Sequence, residues 1–90
     1  MTKSKVSIAF DINGVLTEPI FQQLFNSLDR SKCHLIVWSS MGIDRIKEFC
    51  KENKLEADEY LEKQSKKVDI AIDDHPEMII NAKKVLGTKE

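Results

Sequence analysis

The chain has 90 residues, 32% of them charged, and 14 Lys and Arg against 15 Asp and Glu give a net charge of −1. This length predicts one domain with a modest core and no second lobe, and the balanced, interspersed charge argues against electrostatic binding to nucleic acid or a membrane surface. No apolar stretch approaches a membrane span, and the opening Met1-Thr-Lys-Ser-Lys5 has no apolar targeting core, so a soluble cytoplasmic protein is expected.

The first predicted element is a strand, because Val6, Ile8 and Phe10 form a β-branched and aromatic run with Ala9 between them. It ends on Asp11 and breaks at Gly14, where the backbone can turn close to a ligand. Pro19 then suits a first helical turn, and Ile20, Phe21, Leu24, Phe25 and Leu28 share one face of a helix predicted over about 19–30. A second strand, over 34–38, ends in the hydroxyls of Ser39 and Ser40. After Gly42, the residues Ile43, Ile46, Phe49 and Cys50 recur at helical spacing, with Asp44 near the positive N-terminal end, and predict a helix to about Asn53. Residues 56–62 suit either a helix end or a short edge strand centred on Tyr60, and the strand is chosen. Val68 to Asp74 is another apolar run, delivering Asp73 and Asp74 at its C-terminal end. Last, His75-Pro76-Glu77 opens a predicted helix whose inner face is Met78, Ile79, Ala82, Val85 and Leu86, with Gly87 ending it. Cys33 and Cys50 have no metal-ligand or redox spacing and are expected to be reduced core or near-core thiols.

The order β-α-β-α-β-β-α with right-handed crossovers predicts a small Rossmann-like α/β domain. Its parallel sheet would hold about four strands in the order 3-2-1-4, with helices on both faces. The order reverses between the strands carrying Asp11 and Asp73, and ligands bind at such a switch point. Any one polar strand end is ordinary turn chemistry. Three of them on one sheet edge form a candidate site. Lys63, Lys66 and Lys67 precede the last of these strands, and any of the three could reach it.

These residues resemble the haloacid dehalogenase superfamily of phosphohydrolases and phosphotransferases, over most of the chain. Phe10-Asp11-Ile12-Asn13-Gly14-Val15-Leu16-Thr17 is similar to the first motif of that family, and Ile36-Val37-Trp38-Ser39 to the second. Lys63 fits the third, and Ile70-Ala71-Ile72-Asp73-Asp74 the fourth, which is similar to that of deoxyribonucleotidase-like members. The resemblance implies a Mg²⁺-dependent phosphohydrolase in which Asp11 attacks phosphorus to give an aspartyl-phosphate. It further implies Mg²⁺ held by the Asp11 carboxylate, the Asn13 backbone carbonyl and Asp73, with Asp74 reaching it directly or through water, and phosphate held by Ser39 and Lys63.

Two departures qualify the implied activity. Asn13 stands where phosphatases of the family carry an Asp as general acid and base, and Asn can neither give nor take that proton. Positioned acid–base catalysis is worth about 10² to 10⁴ in rate. A catalytically weakened module that binds Mg²⁺ and phosphate and acts through a partner is therefore the alternative expectation. The intervals between motifs also leave room for only about one helix each, so no cap is expected over residues 1–90. An open site suits a phosphorylated macromolecule, or a lid lent by a second copy in a homo-oligomer that would also cover exposed sheet edges.

Overall fold

Five strands make one parallel sheet in the computed structural model, which describes residues 5–88. They are β1 (Val6–Phe10), β2 (Cys33–Ser39), β3 (Glu59–Glu62), β4 (Val68–Asp73) and β5 (Ala82–Gly87), in the spatial order β3-β2-β1-β4-β5. The predicted order 3-2-1-4 is therefore present, with a further strand beyond it. Two α-helices, α1 (Pro19–Ser27) and α2 (Ile43–Glu52), occupy the first two crossovers, α1 ending about a turn earlier than its apolar spacing predicts.

The centre of the sheet follows from β2, where Leu35, Ile36, Val37 and Trp38 are all buried. An unbroken apolar run is what a parallel strand covered on both faces requires. On one face Ile8, Phe10, Leu35, Val37 and Ile72 pack with Phe25 of α1 and with Ile46 and Cys50 of α2. Phe10 and Phe25 meet edge-to-face, with ring centroids 5.1 Å apart. The opposite face is a smaller cluster, in which Ala9, Ile36, Trp38 and Ala71 meet Val68 and Ile79. The helical layers are thus unequal: both α-helices serve the first face, and a single 3-10 turn, Pro76–Met78, leads Ile79 onto the second.

Register between β1 and β4 is reinforced by side chains. Ser7 and Asp69 are partners across the pair, and Asp69 Oδ2 accepts bonds from the Ser7 N–H at 2.9 Å and from its hydroxyl at 3.1 Å. In return, the Asp69 N–H donates to Ser7 Oγ at 2.9 Å. A slip of one residue would break all three bonds and turn the apolar set of β4 over.

The C-terminal segment corrects the sequence reading. Residues 76–86 are not a helix; after the 3-10 turn the chain extends and Ala82–Gly87 pairs with β4, with Ala71 opposite Val85 and Asp73 opposite Gly87. Two features hold this path. Gln64 Oε1 accepts the N–H groups of Ile80 at 2.7 Å and Asn81 at 3.3 Å, while its Nε2 donates to the Met78 carbonyl at 2.9 Å. Gly87 also lies so close to Pro76 that a Cβ there would come within 2.8 Å of the proline ring. The glycine is needed for close approach rather than for ending a helix.

Candidate functional site

Strand register brings the predicted residues to one sheet edge. Phe10 of β1 is opposite Ile72 of β4, and the N–H of Asp11 donates to the Ile72 carbonyl at 3.1 Å, so Asp11 and Asp73 leave neighbouring strands at the same level. Ser39 ends β2 on the other side of β1. Lys63 follows β3, where its N–H donates to the Ser39 carbonyl at 3.1 Å. From there its side chain crosses the sheet edge, placing Nζ 2.9 Å from Asp73 Oδ2 and 3.6 Å from Asp11 Oδ2. Of the three lysines, Lys63 is the one at the carboxylates. Lys66 pairs with Glu59 at 2.7 Å, and Lys67 is exposed at the opposite end of β4.

Asp11, Asp73 and Asp74 each present a carboxylate oxygen, all within 4.8 Å of one another. Asp73 is fully buried, and its Oδ1 accepts the N–H of His75 at 2.7 Å. Its Oδ2 has Lys63 as a charge partner but lacks a contact with hydrogen-bond geometry, leaving a buried acceptor unsatisfied. Close-packed buried acids resist ionisation. Burial, and then the charge of Asp73, push the Asp11 carboxyl up from 3.8 to about 6, against the opposing pull of Lys63. At Lys63, burial pulls the ammonium down, but close contact with Asp73 and the charge of Asp11 outweigh it and hold the group above its ordinary value. The Lys63 ammonium thus meets two of the three carboxyls, Asp11 and Asp73, while Asp74 Oδ2 has His75 Nε2 at 3.6 Å. The donor set is all hard oxygen, and Asp73 Oδ2 lacks a hydrogen-bonded partner; both features suit a divalent cation of the Mg²⁺ kind.

The turn after β1 shapes the other wall. Residues Ile12–Leu16 form a kinked helical turn in which Asn13 (φ −67°, ψ 125°) and Gly14 (φ 79°, ψ −2°) leave helical geometry. A Cβ on Gly14 would meet Asp74 Oδ2 at 2.5 Å, so only glycine serves both the left-handed backbone and the approach of that carboxylate. The Asn13 side chain is exposed and makes no hydrogen bond among the described residues. Ser39 is buried and its Oγ accepts the Met41 N–H at 3.3 Å, whereas Ser40 is exposed.

Two threonines escaped the sequence reading as site residues. Thr17 Oγ1 accepts the Gly14 N–H at 3.0 Å, and the Thr88 hydroxyl donates to the Gly14 carbonyl at 3.2 Å. Thr17 at least lies inside the first motif. Thr88 carries no local signal, because its partner is 74 residues away. No family model, curated protein or solved structure matches the chain.

Proposed function

We propose that this chain is a minimal, capless Mg²⁺-dependent phosphohydrolase of the haloacid dehalogenase type, with Asp11 as the nucleophile. The observation that carries the reading is the convergence of Asp11, Asp73, Asp74 and Lys63 where the strand order reverses. Asp11 and Asp73, helped by Asp74 and the Asn13 carbonyl, would hold the cation, which when bound supplies the positive charge that three carboxylates and a phosphoryl group need. Asp11 attacks phosphorus, forming an O–P bond as the bond to the leaving oxygen breaks. Water then cleaves the acyl phosphate, regenerating the carboxylate, releasing phosphate and giving its proton to solvent. Lys63 neutralises charge on the phosphoryl oxygens. The Ser39 hydroxyl, at the end of β2, is the second phosphate donor.

Asn13 favours a second reading, in which the same site binds Mg²⁺ and phosphate without steady turnover and signals to a partner. With no acid to protonate the leaving oxygen, substrates whose leaving group departs as an anion should be favoured. Hydrolysis of an aryl phosphate with Mg²⁺, by the parent and by Asn13→Asp, separates the two. Turnover by the parent that is lost in Asp11→Asn and raised about 10²-fold or more by Asn13→Asp supports the enzyme. Absence of turnover in both proteins rules it out. Calorimetric Mg²⁺-dependent binding of phosphate would then select the binding module.

A further inference from the structure

We propose that Thr88, the residue following β5, is a positioning residue for the cation-binding end of the site, an inference that rests on the Mg²⁺ reading above. Its two polar groups fasten the two chain segments that supply the carboxylates. The Thr88 N–H donates to the Asp73 carbonyl at 3.1 Å, continuing the β4–β5 ladder past Gly87. Its hydroxyl proton goes to the Gly14 carbonyl at 3.2 Å, in the turn that follows Asp11. The Gly14 peptide is therefore held on both sides, by Thr17 at its N–H and by Thr88 at its carbonyl.

This hold reaches the carboxylates because Gly14 is the surface against which Asp74 rests. If the turn drifts, the support beneath Asp74 moves with it, and the separation of Asp74 from Asp11 and Asp73 changes. A cation bound by several carboxylates is sensitive to such changes, and loss of a group that orients metal ligands lowers affinity by about 10- to 100-fold. The strand itself needs only the Thr88 backbone. The hydroxyl can thus be removed while β5 stays paired.

The test is the Mg²⁺ concentration that gives half of the maximal rise in melting temperature, measured on the full chain and repeated by calorimetric titration with MgCl₂. Thr88→Val keeps the shape and the backbone N–H but lacks the hydroxyl, and it should raise that concentration about tenfold. Thr88→Ser restores the donor and should bring it back near the parent value. Thr88→Ala guards against misfolding of the valine variant and must shift the midpoint in the same sense. A purely structural threonine would lower the metal-free melting temperature and leave the Mg²⁺ midpoint alone. That outcome, or a serine variant as weak as the valine one, overturns the proposal while the site reading stands. A parent protein whose melting temperature ignores Mg²⁺ overturns both.

Discussion

Asp11 is under energetic tension, because burial and the neighbouring Asp73 both oppose its charge and push its carboxyl up to about 6. A carboxyl raised in the fold favours the folded state when protonated. Its contribution is fully present below about 3.8 and is lost as the pH rises through about 6. Without metal, Asp11→Asn should therefore melt about 5 °C or more above the parent at pH 7.5, since a pKa unit is worth about 1.4 kcal/mol and 1 kcal/mol moves a small domain by roughly 4–8 °C. The gain should vanish near pH 4; melting curves in EDTA across that range check the sign, and a pH-independent difference would contradict it. Gly14 offers the converse case. Gly14→Ala combines a φ of 79° with a contact at 2.5 Å to Asp74, so denaturant unfolding should show a loss of at least about 1–2 kcal/mol, with weaker Mg²⁺ stabilisation. At this scale much of the candidate site was legible: Asp11, Asp73 and Ser39 each end an apolar run, and Lys63 is one of the three lysines that precede the last of these strands. The Thr88 contact was not, since a hydroxyl that acts across 74 residues leaves no mark on its neighbours in sequence.

Among the elements, β5 separates local pattern from tertiary context. Ile79, Ala82, Val85 and Leu86 satisfy a helical template, yet Ala82-Lys83-Lys84-Val85-Leu86 also tolerates an extended chain, and periodicity alone does not arbitrate over so short a span. What decides is non-local. The free edge of β4 offers a ladder of backbone partners, and Gln64, from the loop carrying Lys63, captures the 78–81 stretch in a non-helical path. The Asn81 side chain closes the clamp by donating to the Gln64 carbonyl at 2.7 Å. β1, β2 and β4 were readable because each is an apolar run with its own turn signals, and β2 in particular admits no amphipathic alternative, whereas the short, charged β3 fitted a helix end as well as a strand. Gln64→Ala should cost about 1–2 kcal/mol, since it removes three side-chain bonds that water can only partly replace at this half-exposed position. Urea titration measures the loss. An unchanged midpoint would show that the β4 edge suffices to hold β5 by itself.

Across the whole molecule, the carboxylate strands β1 and β4, like β2 beside them, contribute to both hydrophobic clusters. Phe10 and Ile72 look to the face that carries α1 and α2, while Ala9 and Ala71 look to the face where Trp38 and Ile79 meet. A cation that ties Asp11 to Asp73 would therefore fasten the middle of the sheet rather than one layer. Such binding stabilises by RT ln(1 + [L]/Kd), about 2.7 kcal/mol when Mg²⁺ is at 100 times Kd, because the unfolded chain has no comparable site. Two local reporters can read this independently: the single, fully buried Trp38 on the thinly covered face, and the far-ultraviolet helical signal from the other. A domain this small should unfold in one cooperative step. Tryptophan fluorescence and circular dichroism should thus give coincident melting curves, both moving upward with Mg²⁺ by the same amount, and in Asp73→Asn neither should move. If only the helical signal responded, the cation would be acting on one face of the sheet. If Asp73→Asn responded as fully as the parent, the cation would be bound somewhere other than the edge where β1 and β4 end.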